Sequence, residues 1–159
     1  MRVNHTGEVC AQALYLGQAI MAQDPILSRH LYKASEEERQ HLDWCANRVH
    51  ALQAQTSRLS PLFAVGSFGL GLLAGFLSDR ISLGFLAETE KQVSAHLDNH
   101  LKIVGDQDLE TKQILLQMKA DEQKHEQEAW QRGAIPLPKP ICFLMRCFAK
   151  VMTTTTQYI

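Results

Sequence analysis

Glu38-Arg-Gln-His41 and Glu122-Gln-Lys-His125 repeat one pattern, a glutamate followed three residues later by a histidine. On a helix this spacing sets an oxygen and a nitrogen ligand one turn apart on one face. Both pairs interrupt apolar seams spaced three and four residues apart. One seam runs Leu27, Leu31, Ala34, Glu38, His41, Cys45, Leu52, and the other Leu115, Met118, Glu122, His125, Ala129. A third seam, Leu86, Glu90, Val93, Leu97, Leu101, Val104, carries a single glutamate, and Glu8 lies near the start of the chain. An unpaired carboxylate in a core costs several kcal/mol or more. Four converging carboxylates therefore demand compensating positive charge.

Metal ions supply that charge. The order Glu, Glu-x-x-His, Glu, Glu-x-x-His across four helices is the ligand set of ferritin-like two-metal bundles. Glu8 and Glu38 are 30 residues apart and Glu90 and Glu122 are 32 apart, as two helical hairpins require. The 52 residues between Glu38 and Glu90 leave room for a crossover. Hard carboxylates with only two imidazoles favour iron or manganese over zinc or copper. Glu38 and Glu122, the glutamates of the paired motifs, are the expected bridges. Glu37 and Asp121 each precede one of them, where an acceptor could orient the histidine of the opposite hairpin.

Composition agrees with a helical bundle. The 159 residues are 45% apolar, with 51 Ala, Leu and Gln against 23 Val, Ile and Thr. Such a length suits one domain spanning 1–159 with a core that needs no disulfide staples. Sixteen Lys and Arg against seventeen Asp and Glu give a formal charge of −1, which argues against nucleic-acid binding and against disorder. Setting the four seam glutamates apart leaves 13 of the 17 acids against 16 bases, so the outer surface is mildly cationic. Cys10, Cys45, Cys142 and Cys147 form no Cys-x-x-Cys pair and read as reduced thiols in apolar positions. No signal peptide is visible, and the ligand-bearing opening lies so near Met1 that a preceding extension is expected.

Prolines punctuate the chain. Helices are expected over about 4–23, 25–55, from 78 or 79 to Gly105, 107–132 and 141–152, the last followed by a frayed Thr-rich tail. Residues 62–77 are uncharged and contain Gly71-x-x-x-Gly75, which permits close helix approach. As a helix of 16 residues this segment reaches about 24 Å against a hydrocarbon core of roughly 30 Å. It suits an element dipping into one leaflet, helped by the Phe143, Leu144, Phe148, Met152 face of the last helix with Arg146 and Lys150.

The opening Arg2-Val-Asn-His-Thr-Gly-Glu8 with Tyr15-Leu-Gly-Gln, then Glu38-Arg-Gln-His41, Glu90 with Ser-Ala-His96, and Asp121-Glu-Gln-Lys-His125, closely resembles the demethoxyubiquinone hydroxylase family of ubiquinone biosynthesis. The resemblance implies an all-α, ferritin-like di-iron bundle with added apolar crossover and C-terminal helices. It implies a monooxygenase that hydroxylates the ring of 2-polyprenyl-3-methyl-6-methoxy-1,4-benzoquinol with O2. Glu8, Glu38 and His41 would hold one iron and Glu90, Glu122 and His125 the other, with Glu38 and Glu122 bridging. His96 matches a second-sphere histidine near the quinone ring. The prenylated substrate implies peripheral membrane attachment, at the cytoplasmic face of a bacterial cell membrane or the inner mitochondrial membrane of a eukaryote. No Gly-x-Gly-x-x-Gly fingerprint occurs, so electrons come from an unidentified donor, the quinol, or a nicotinamide held in another way. A ubiquinone-biosynthesis complex or a homo-oligomer fits such an enzyme. The competing reading is a ferritin-like iron-binding or ferroxidase protein without an organic substrate, for which the apolar 62–77 insert has little use.

Overall fold

Capping chemistry sets the helix boundaries. The Asp24 carboxylate accepts the Ile26 amide at 2.8 Å with Pro25 at the first helical position. Ser78 Oγ accepts the Ile81 amide at 3.2 Å, and Asp108 accepts that of Thr111 at 3.0 Å. Gly105 closes its helix at φ +55°, a conformation costly for residues with a Cβ. The computed structural model describes residues 1–159 as six helices without a strand: α1 (Arg2–Met21), α2 (Pro25–Ala51), α3 (Ser60–Leu77), α4 (Asp79–Val104), α5 (Leu109–Gln131) and α6 (Lys139–Thr156).

α1–α2 and α4–α5 are antiparallel hairpins that pack together into a four-helix core. Two apolar clusters fill this core at different levels. One gathers Tyr15 and Ala19 of α1, Leu27, Leu31 and Ala34 of α2, Leu83, Leu86 and Ala87 of α4, and Ala129 of α5. The other joins Cys45, Leu97, Leu115 and Met118. On α2, α4 and α5, the seam glutamates and histidines lie in sequence between members of the two clusters, and so form a polar layer between two dry ones.

α3 is the crossover. It runs parallel to α1, from the Thr6–Ser60 hydroxyl contact at 2.8 Å to Gly75 beside Met21 and Gln18. The approach is close because the contact residues are glycines. A Cβ on Gly71 would strike the Leu14 carbonyl and lie 3.1 Å from the Gln18 nitrogen, and one on Gly17 would strike the Phe68 carbonyl. Only one face of α3 is covered. Leu62, Val65, Leu73, Phe76 and Leu77 stay exposed. Ser60 and Pro61 belong to this helix, so the apolar element is two residues longer than the uncharged run. Its 18 residues, at mean hydropathy 1.7, are long and apolar enough to cross a membrane, and 28% of them are buried.

α6 lies across α4 and α3, with Arg146 3.7 Å from Glu88 and Phe148 edge-on to Phe63 at 5.9 Å. It extends beyond the expected 141–152 at both ends. Pro140 is tolerated in the first turn, where its missing amide leaves no bond unmade. The Thr-rich tail is helical to Thr156 because Thr155 and Thr156 hydroxyls bond back to the Val151 and Met152 carbonyls at 2.9 and 2.7 Å. All four cysteines are unpaired; Cys45 is fully buried, but Cys147 is exposed rather than apolar filling.

Candidate metal centre

The six residues reach the polar layer from four helices. Glu8 comes from α1, Glu38 and His41 from α2, Glu90 from α4, and Glu122 and His125 from α5. All six are at least 96% buried. Glu8, Glu38, His41 and Glu122 present one ligand atom each within 4.8 Å of one another, and so do Glu38, Glu90, Glu122 and His125. Glu38 and Glu122 belong to both groups.

The histidines show why these two glutamates are shared. His41 Nδ1 lies 3.5 Å from Glu8 Oε2, 3.3 Å from Glu38 Oε2 and 3.4 Å from Glu122 Oε1. His125 Nδ1 lies 3.1 Å from Glu38 Oε1 and 3.7 Å from Glu122 Oε2. Each shared glutamate thus turns one oxygen to each histidine, the posture of a bridging carboxylate.

On the outer side, His41 Nε2–H donates to Asp121 Oδ2 at 3.1 Å and His125 Nε2–H to Glu37 Oε2 at 3.0 Å. These acceptors come from the opposite hairpin, as their positions in sequence suggested. They fix the tautomer, leaving the Nδ1 lone pairs aimed inward.

The protein alone does not satisfy this interior. Glu8 Oε2, both oxygens of Glu38 and of Glu90, Glu122 Oε2, and Nδ1 of both histidines are buried without a hydrogen-bond partner. Native structures leave only a few buried polar atoms unpaired per hundred residues, and here eight gather at one point. Burial pushes the Glu8 and Glu90 carboxyls well above the usual range, and the charges of Glu122 and Glu38 add to the rise. For His125, burial works downward, but Glu122 and Glu38 overcome it and raise the imidazole to about 11. His41 rises in the same way, against burial, under Glu122, Glu38 and Glu8. The inner Nδ1 atoms thus hold protons that a metal cation would displace, freeing the inward lone pairs, and the site draws positive charge into its centre. Carboxylate oxygens and two imidazole nitrogens with inward lone pairs suit a pair of hard divalent cations.

Tyr15 escaped the ligand pattern. It sits seven residues after Glu8 on the same face of α1, and that spacing is the signal that could have found it. Its ring meets His125 edge-on at 5.8 Å, and its hydroxyl is buried without a partner. Burial, followed by the charges of Glu90, Glu38 and Glu122, holds the phenol well above its ordinary value. His96 lies outside both ligand groups. It is half-buried, its Nε2 is unpartnered, and its ring lies tilted by 53° against His100, with centroids 4.2 Å apart. Trp44 tilts against His41 at 5.3 Å, Trp130 is 43% exposed, and His30 contacts Glu128 at 3.4 Å.

The same chain resembles known proteins along its whole length. The family model described as ubiquinone biosynthesis protein COQ7 matches residues 1–156. A Polaromonas sp. (strain JS666 / ATCC BAA-500) protein named 3-demethoxyubiquinol 3-hydroxylase is 53% identical over all 159 residues, which cover 76% of that relative. Proteins of the same name from Ralstonia pickettii (strain 12J) and Pseudomonas syringae pv. syringae (strain B728a) are 51% and 50% identical over the whole chain, covering 73% and 74% of their lengths. At that identity across the four ligand-bearing helices, the chain belongs to the COQ7 family of ubiquinone-biosynthesis proteins.

Proposed function

We propose that this chain is a 3-demethoxyubiquinol 3-hydroxylase that acts through two iron ions, with Glu8, Glu38 and His41 at one and Glu90, Glu122 and His125 at the other. Glu38 and Glu122 bridge them. The observation that carries this reading is the set of eight buried, unpartnered ligand atoms converging from four helices. Bound there, iron supplies the redox chemistry by which O2 is turned towards hydroxylation of the quinol ring.

The chain's own residues provide the rest. Asp121 and Glu37 hold the two imidazoles in the tautomer that can ligate. Leu31, Leu86, Ala87, Leu97 and Met118 keep bulk water out above and below the polar layer, which strengthens every charge interaction inside it. His96, with a free Nε2 in a half-buried position, is assigned to the substrate ring rather than to iron. The exposed apolar side chains of α3 and α6 support a peripheral seat on the membrane that dissolves a prenylated quinol, which we assign to the cytoplasmic face of the bacterial cell membrane.

Metal analysis and a hydroxylation assay on Glu38→Ala test the assignment together. Removing a bridge is expected to reduce bound iron from about two per chain to well below one, and to abolish hydroxylation at least a thousandfold. Full activity in an iron-depleted Glu38→Ala protein would end this reading.

A further inference from the structure

The two histidines share Glu38 and Glu122 on the inside but are held unlike from outside. Glu37, the acceptor behind His125, stands in a surface pocket of about 150 Å³ lined by His30, Lys33, Lys124, Glu128 and Arg132. Its Oε1 is 3.3 Å from Lys33 Nζ. Its Oε2, the atom that receives His125, is 4.0 Å from Lys124 Nζ. Lys124 also reaches Glu128 at 3.8 Å, and Glu128 meets His30 at 3.4 Å, so Lys33 is the cation Glu37 does not share. Asp121, the acceptor behind His41, has no such company. Only the neutral amide of Gln117 approaches it, at 3.1 Å from both oxygens.

This difference reaches the metal through the imidazole. A carboxylate that accepts the outer N–H draws on that proton and makes the inner nitrogen a stronger donor. Ammonium groups beside the carboxylate compete for the same negative charge and weaken its pull on the ring. The inner contacts point the same way. His41 Nδ1 faces three carboxylates within 3.5 Å. His125 Nδ1 faces two, at 3.1 and 3.7 Å.

We infer that Lys33 and Lys124 act through Glu37 as positioning residues that make the His125 half of the centre the weaker metal-binding half, with His41–Asp121 the stronger. The inference rests on the two-metal reading above. It makes the centre unsymmetrical although its ligand list is nearly symmetrical. The His125 half fills last and empties first, and its occupancy answers to charge on the outer surface.

Cobalt(II) titration of the metal-stripped full chain tests this without any measurement of turnover. Calorimetry gives the affinity of each step, and the visible d–d bands report the ligand field at each. Wild type is expected to bind two equivalents in a tight and a weak step. Lys33→Met/Lys124→Met should tighten the weak step about two- to tenfold, the scale of exposed ion pairs, and leave the tight one in place. Lys33→Arg/Lys124→Arg should restore wild-type behaviour, since it keeps the charges. Asp121→Asn should weaken the tight step by about 10- to 100-fold, and Glu37→Gln should weaken the other. A Lys33→Met/Lys124→Met protein with both steps unchanged, or with both moved equally, overturns the inference while two-equivalent binding leaves the metal centre standing. Binding of fewer than two equivalents by wild type overturns both.

Discussion

His41 and His125 each stand between an outer carboxylate that fixes the ring and inner carboxylates that its lone pair faces. Sequence spacing disclosed both sides of that arrangement, because Glu37 and Asp121 sit one residue from the bridging glutamates and so emerge at the edge of the same helical face. The ligand spacing passed over Tyr15, whose ring meets His125 edge-on only once α1 and α5 are packed together. Nor did it disclose Arg48, which binds Asp108 at 2.7 Å, Glu110 at 2.6 Å and Thr111 at 2.8 Å. That cluster ties the end of α2 to the start of α5, and it makes a pH prediction. Contacts from Thr111 and Arg48 hold the Asp108 carboxyl below the usual carboxylate range. A group with a depressed folded-state value contributes fully above its unfolded value and loses that contribution as pH falls through the folded one. Urea unfolding should therefore show Asp108→Asn less stable than wild type by the same margin at pH 7 and pH 5. The margin should close below about pH 3. A margin constant down to pH 2 would show that Asp108 acts as a neutral cap.

At the scale of elements, α3 was legible as an apolar segment and its Gly71-x-x-x-Gly75 as a close-approach motif. Nothing in the segment said that α1 would be the partner, or that the two would run parallel. Gly17 on α1 completes the contact, and only the assembled helices reveal the match. Gly71→Leu would drive a side chain into the Leu14 carbonyl and force α1 to move, an overpacking cost of about 1–3 kcal/mol or more. Gly69, two residues away, faces open space. Gly69→Ala should instead stabilise by about 0.5–1 kcal/mol, the helix-propensity gain alone. Chemical denaturation of the two variants separates packing from propensity; equal effects in one direction would refute this account of the α1–α3 contact. The extension of α6 to Thr156 is a lesson of the same kind. Threonine is a poor helix former on average, yet these hydroxyls are satisfied by carbonyls of their own helix.

Across the whole molecule, α3 and α6 bring their exposed apolar side chains together next to α4, the helix of Glu90 and His96. With the four buried core glutamates set apart, the chain carries 13 acids against 16 bases. An apolar patch with surrounding positive charge binds an anionic bilayer through both effects. Co-flotation with vesicles containing phosphatidylglycerol should recover the wild-type chain. Phe76→Glu/Phe143→Glu should lower the bound fraction at least tenfold while iron content stays at the wild-type level. An unchanged bound fraction would mean that another surface makes the contact.

By itself, the sequence determined the long amphipathic helices, the hairpin order and which six glutamates and histidines meet in the core, though not where α2 and α6 end. These follow from periodicity, caps and the cost of buried carboxylates, all of which act over a few turns of one chain segment. Only the tertiary structure decided that each shared glutamate gives one oxygen to each histidine, that α3 lies glycine to glycine along α1, and that the carboxylate behind one histidine is flanked by lysines and the other by an amide. Those outcomes depend on distances between helices far apart in sequence, which no local pattern encodes.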